Sequence, residues 1–482
     1  MGRGWERVLT TSCTVTADGL VTIDDQATSD DTSAPDLPHP LQLGLARPLA
    51  DYIPEYGLDA ALERVPYDAE FEPVALKEIR KVCKLGGEAD VIIMQDADRV
   101  TISTLNTILK LSQSPLYLRH FESTPLISGC IKLMASVAIP NNSSLFSYEY
   151  GYLCFKVLTI AIGVCLLARS HKLTPVIEQM MADQNTPMLQ LFSIEVSQLV
   201  KEEIEDADNN TIACDWLLGW AKAPERAQEP PLASRYDIIT LSKILFDDCK
   251  SFMKAWSSTF SPGLSGVVFL LWRYVHNKCI VNTSPRPEAK LIPLCEIIWR
   301  CMIMATKDEV IPLMYMFNTV QSAGVRMWEK HCRTPAGRSD VEDFRTILEL
   351  FLMRLAPTNP ERYSKFGFAE MAAVIPFVAG RVRGCEDLFP KLFKMAFDRA
   401  IEAHDIQEFD DINLICATGG TLVYLGNCLQ MVENSLPYKP EILMQLVTIL
   451  AENKVFELVA RTVVILKQTI TLGDDAECYE AV

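Results

Sequence analysis

The chain has 482 residues, 49% of them hydrophobic, and 62 acidic against 45 basic side chains give a formal net charge of −17 at pH 7. That length provides for about three compact domains or one repeat-built body in which no single core has to grow. The acidic balance argues against nucleic acid, and against a membrane surface held by basic patches, because both need clustered Lys and Arg to displace counterions.

The fifteen cysteines are spread through apolar segments, with no Cys-x-x-Cys pair, and residues 1–25 are polar, without the apolar core of a secretory signal. Reduced, buried thiols and a cytoplasmic or nuclear location are expected from this pattern. The sequons beginning at Asn141, Asn142, Asn209 and Asn282 are then chance matches.

Residues 1–46 differ from everything after them. Residues 17–40 hold six aspartates and no Lys or Arg, so this arm lacks the apolar surface needed to order itself. Within it, residues 14–24 alternate β-branched side chains around Asp18-Gly19, a type I′ hairpin signal. From residue 47 onward the signals are helical. The pairs Thr124-Pro125, Thr174-Pro175 and Thr186-Pro187 each open an apolar-periodic run, the hydroxyl as cap and the proline in the first turn. Ser234 with Asp237, Thr306 with Glu309 and Ser339 with Glu342 read as capping boxes, and Pro287 and Pro440 as further first-turn positions. Leu85-Gly86-Gly87 reads as a helix C-terminus.

Residues 147–172 contain the most apolar stretch, uncharged from Val157 to Ala168. A helix apolar all round is buried, in a bilayer or in a large helical protein. Lys156 interrupts the stretch and amphipathic helices flank it, so it reads as the inner spine of the N-terminal half, with Lys156 at a rim where its amine reaches water. A membrane anchor through residues 151–168 is the alternative. Further on, Ile238, Leu241, Leu245, Cys249, Phe252 and Trp256 form one stripe, predicting a single helix over residues 234–256. Similar stripes run through Val341, Phe344, Leu348, Phe351 and Leu355, and through Leu388, Leu392, Met395 and Ala396.

The expected organisation is the acidic arm 1–46, an N-terminal helical half 47–222, a C-terminal helical half 235–472 and a short acidic tail 473–482. The proline-rich residues 221–234 form the break between the halves. About fifteen helices with short links predict an all-α chain, a right-handed α-solenoid of antiparallel hairpins, with a globular multi-helix bundle as the alternative. The strings LIPL, VIPL and VIPF place Pro293, Pro312 and Pro376 at no common period. With its many helices, irregular repeats and prolines near helix starts, the layout is similar to armadillo and HEAT proteins.

No stretch combines reactive residues at a spacing that a reaction would require. Phe246-Asp247-Asp248 and Phe409-Asp410-Asp411 share two residues with the aspartate-rich motif of terpene synthases, but Ser251 and Leu414 stand where the further acid belongs. Only His276 and Cys279 approach a zinc-ligand spacing, with Cys295, Cys301 and the adjacent His331 and Cys332 more distant. No metal, cofactor or catalytic residue is therefore assigned. Two basic loops, residues 331–340 and 356–365, read as solvated. Trp216 and Trp220, four apart in CDWLLGW, would share one helical face and form the candidate interaction surface, whereas Trp256, Trp272, Trp299 and Trp328 belong to core stripes. The expected function is protein–protein interaction or scaffolding for an unknown protein partner, without catalysis. A helical enzyme with a site assembled from distant residues is the rival.

Overall fold

A computed structural model describes residues 47–57, 64, 66, 68–87, 100–138, 144–183, 185–209, 213–221, 229–259, 263–277, 288–322, 340–358, 363–407, 411–433, 440–452 and 455–472. These fall within one unit, residues 44–482. The arm 1–46 with its hairpin, the tail 473–482, Ser339, Trp328 and the loop 331–339 lie outside them. Among the described residues the chain is all-helical and has no strand, only an isolated bridge between Pro48 and Tyr148.

The first part contains α1 (Leu49–Tyr52), α2 (Phe71–Gly87), α3 (Ile102–Leu111), α4 (Thr124–Ala138), α5 (Glu149–Arg169), α6 (Leu173–Ala182), α7 (Met188–Asn209) and α8 (Ala213–Leu217). After the 222–228 stretch come α9 (Arg235–Asp247), α10 (Cys249–Ser258), α11 (Leu264–His276), α12 (Glu288–Met304) and α13 (Lys307–Ser322). The last part is α14 (Val341–Leu355), α15 (Phe368–Ala379), α16 (Phe389–Ile406), α17 (Asp411–Glu433), α18 (Pro440–Glu452) and α19 (Val455–Leu472).

Helix α5 is the spine. Every residue from Glu149 to Leu167 is buried, and α3, α4, α6, α7 and α11 pack around it. An apolar helix has no face to offer water, so neighbours must cover it on every side. Lys156, expected at a rim, is only 8% exposed. Its ammonium lies 5.6 Å from the Tyr56 ring centroid and 5.8 Å from that of Tyr152, where aromatic faces supply part of the stabilisation that water would give.

Both ends of the spine are clasped. Glu149 accepts from Arg47 Nε at 2.8 Å, Arg47 Nη2 at 2.6 Å and the Tyr56 hydroxyl at 2.7 Å, which fastens residues 47–56 across the start of α5. Ahead of α5, the Asp248 carboxylate accepts from Phe146 N and Ser144 Oγ, both at 2.8 Å. The predicted single helix over 234–256 is accordingly two helices broken at Asp248. The whole stripe from Ile238 to Trp256 is nevertheless buried, because α9 and α10 turn the same apolar sequence toward the same core.

Close approach sets the packing of α2 on α4. A Cβ added to Gly129 would lie 2.2 Å from the Val82 carbonyl oxygen, so only glycine lets these backbones touch. Helix starts follow the expected chemistry in part. The Ser234–Asp237 capping box is complete, and α18 begins at Pro440. Asp340 caps α14 by accepting from Glu342 N and Asp343 N. Thr174 lies inside the first turn of α6, which begins at Leu173. Pro293, Pro312 and Pro376 stand within α12, α13 and α15, and these three helices are mutual neighbours. Each proline removes one helical hydrogen bond.

Helices on the two sides of residues 221–234 pack together: α4 on α9, α5 on α11, and α7 on both α11 and α13. Beyond α13 the packing alternates. α14 meets α16 and α16 meets α18, while α15 meets α17 and α17 meets α19.

Buried arginines hold the second part. Arg300 donates to both oxygens of Asp343, at 2.8 and 2.6 Å, and to Glu296 at 3.0 Å. Arg381 bonds the other oxygen of Glu296 and its guanidinium lies 3.8 Å from the Phe377 ring centroid. The four charges balance within a dry interior. Arg354 is 0% exposed and is different: it donates to the Ala305 carbonyl and stacks 4.4 Å from the Phe366 centroid. Among the described residues its Nε and Nη2 have no hydrogen-bond partner, and burial pushes its pKa down to about 10.

Two outcomes follow for stability. Arg300→Met leaves the buried Asp343 carboxylate without its guanidinium partner and Glu296 with Arg381 alone and costs about 3 to 5 kcal/mol, whereas Arg354→Met removes an uncompensated charge and is neutral or stabilising by about 1 kcal/mol, both read by urea denaturation. Burial raises the Glu149 pKa, but the bonds from Arg47 and Tyr56 lower it by more, so it titrates below the ordinary carboxylate value. A depressed native pKa contributes stability above the unfolded value and loses it as pH falls. Glu149→Gln should therefore be less stable at pH 7 and show a shallower acid limb in melts from pH 6 to pH 3.

Candidate functional site

The Trp216 and Trp220 pair does not share a helical face. Helix α8 ends at Leu217, and Gly219 takes φ +74°, with Trp220 N and Ala221 N both donating to the Asp215 carbonyl at 2.8 and 3.1 Å. This reversal after the helix end favours glycine. It sends the Trp220 ring against Tyr274, 6.4 Å between centroids, while Trp216 lines a cavity of about 640 Å³. Both tryptophans are half-buried against the core.

That cavity lies at the C-terminal end of α5. Arg169, Cys165 and His171 line it from the spine, Glu122 from the turn before α4, and Glu229 from the far side of the 222–228 stretch. Arg169 is its fastening. Its Nη1 donates to the Leu217 carbonyl at 2.9 Å and its Nη2 to that of Pro230, while Leu232 N bonds the Leu218 carbonyl at 3.1 Å. The two flanks of the proline-rich break are thereby tied to the spine. Burial lowers the Arg169 pKa, and the neighbouring Glu229 and Glu122 charges oppose that shift.

The cavity is of ligand size, but its charges have mixed sign and its one thiol is not activated. Cys165 is buried, donates toward the Phe121 carbonyl at 3.8 Å, and has its pKa pushed up to about 12 by burial. A thiol held protonated is a poor nucleophile. Arg169 spends two of its N–H groups on backbone carbonyls, which makes it a positioning group for the loops.

The other sequence candidates fall in separate places. Asp247 is exposed and Asp248 serves as the tether ahead of α5; Asp411 is exposed at the start of α17, and Asp410 lies outside the described residues. Cys295 and Cys301 are core residues of α12; Cys279, His331 and Cys332 are outside the described set. Among the described residues, no group of three or more His, Cys, Asp and Glu is placed to hold a metal. Trp256, Trp272 and Trp299 are buried as expected.

A second feature lies on the strongly apolar helices α18 and α19. The outer side of α18 and α19 leaves Met444 65%, Val447 52%, Phe456 83%, Val463 56% and Val464 54% exposed. Large apolar side chains this exposed and this close in sequence mark an interaction surface or an aggregation hazard. The sequence carries part of the signal, since both α18 and α19 are strongly apolar.

Comparison with protein families, with curated proteins and with solved structures returns no match for the chain.

Thiol accessibility tests the packing around the cavity. With a pKa near 12, about one Cys165 side chain in ten thousand is ionised at pH 8. Iodoacetamide treatment of the native chain should alkylate the exposed Cys416 and spare Cys165 and Cys428, as read by peptide mass spectrometry; modification of Cys165 at the Cys416 rate would contradict the burial described.

Proposed function

We propose that the chain is a non-catalytic, protein-binding scaffold of the cytoplasm or nucleus, built in its C-terminal part as a right-handed solenoid of stacked helical hairpins. The alternating packing of α14, α16 and α18 against α15, α17 and α19 supports the stacked arrangement. The single observation that carries the function is the apolar outer face of α18 and α19. Met444, Val447, Phe456, Val463 and Val464 stand exposed close together on these two helices, and apolar side chains so exposed and clustered mark an interaction surface.

The rival readings have less support. A helical enzyme needs convergent reactive groups, and the Trp216 cavity offers a protonated thiol and an arginine engaged with backbone. A membrane anchor through residues 151–168 would require stripping α5 of its neighbours, since 94% of its most apolar window is buried.

The test is affinity capture with the intact chain and with Phe456→Glu/Val463→Glu, using Tyr236→Glu on the exposed side of α9 as a surface control. A prey recovered by the intact chain and the control but reduced at least about tenfold by the double variant supports the reading. Recovery unchanged by the double variant would remove the face from the function.

A further inference from the structure

We infer that the joint between α16 and α17 is acid-sensitive, closed while the His404 imidazole is neutral and loosened when the ring takes up a proton. Helix α17 packs on α15 and α16, and α19 packs chiefly on α17, so α19 is placed largely through this joint. His404 stands in the last turn of α16 and is 8% exposed. Its Nε2 lies 3.1 Å from the hydroxyl of Thr418 on α17, which is itself fully buried. A buried polar group of this kind is kept in place by its hydrogen bonds.

The pairing suits a neutral ring. A hydroxyl can donate to a bare imidazole nitrogen or accept from a protonated one, so Thr418 serves either tautomer. An imidazolium demands more: both nitrogens must donate, and the charge needs a carboxylate or water beside it. Thr418 offers an oxygen without charge. Thr421, one turn further along α17, is also buried, and its hydroxyl has no hydrogen-bond partner among the described residues. That side of α17 is closed to water.

The surrounding charges do not make up the deficit. Arg461 of α19 acts on the ring with the sign that a proton would bring, and Asp405, the next residue of α16, opposes it. The Asp405 carboxylate is already engaged, because Arg461 donates to it and to Glu457. Among the described residues no charged side chain of α14, α15, α17 or α18, which also pack against α16, acts on the ring. Burial first, and Arg461 second, hold the imidazole below the ordinary histidine value. With a depressed native pKa the unfolded chain takes the proton first. The joint therefore keeps its full contribution above about pH 6.5 and loses it as pH falls.

Amide hydrogen exchange of the full chain, read by peptide mass spectrometry at pH 7.5 and pH 5.5 and corrected for intrinsic exchange, tests the joint. Peptides spanning the end of α16 and the first half of α17 should exchange at least about threefold faster at pH 5.5, while those of α5 stay protected at both values. His404→Gln keeps a hydrogen-bonding side chain that cannot charge, and it should abolish the acceleration. His171→Gln, at the exposed histidine after α5, should leave it unchanged. Acceleration that persists in His404→Gln, or that is absent from the unaltered chain, overturns the inference. If His404→Gln exchanges fast at both pH values because glutamine does not fit, the unaltered chain decides. Deuterium exchange at the His404 ring carbon C2, followed from pH 5 to pH 8, then gives the midpoint of its titration. A midpoint below about 6.5 upholds the acid-sensitive joint, and one at or above that value overturns it.

Discussion

A helix with no polar face makes a demand that the rest of the N-terminal part has to meet. Helix α5 is buried from Glu149 to Leu167, and at about 25 cal/mol per Å² of apolar surface removed from water that burial stabilises the fold. The surrounding details serve that burial. Arg47 and Tyr56 hold Glu149 at one end, Arg169 holds the loops at the other, and Asp248 breaks a helix in two to bond the backbone of Phe146. Even the single lysine in the span is covered, by the rings of Tyr56 and Tyr152.

The C-terminal part is organised by a different economy. Its helices pack in alternation, α14 on α16 and α16 on α18, α15 on α17 and α17 on α19. Several buried arginines enter its interior, whose planar guanidinium can satisfy two carboxylate oxygens at once and lie flat on a ring. Arg300 with Asp343, and Arg381 on Phe377, join α12, α14 and α15 through one charge-balanced cluster. Exposure differs along the chain, from the enclosed α5 to the exposed Met444, Val447, Phe456, Val463 and Val464 of α18 and α19.

Much of the local structure was legible in the residues. The buried stripe from Ile238 to Trp256, the capping box at Ser234, the start of α18 at Pro440 and the burial of Trp256, Trp272 and Trp299 all match their sequence signals. The failures have a common form. A continuous helix over 234–256 was expected because periodicity is blind to a bond from Asp248 to a backbone amide a hundred residues away. Trp216 and Trp220 were placed on one face because helical spacing says nothing of a reversal at Gly219. Pro293, Pro312 and Pro376 share no sequence period, and nothing in their spacing shows that they stand inside α12, α13 and α15.

The sequence by itself determined the helical class, the apolar stripes and the all-round apolar character of residues 157–168, since each is a matter of short-range periodicity and of the free energy of removing apolar side chains from water. Tertiary structure alone decided which charges are paired, that Arg300 is balanced and Arg354 is not, that Arg169 closes a cavity beside Trp216, and that the outer side of α18 and α19 is left open. Those features depend on which distant segments meet, and a side chain's partner across the fold leaves no mark on the spacing of its neighbours in the chain.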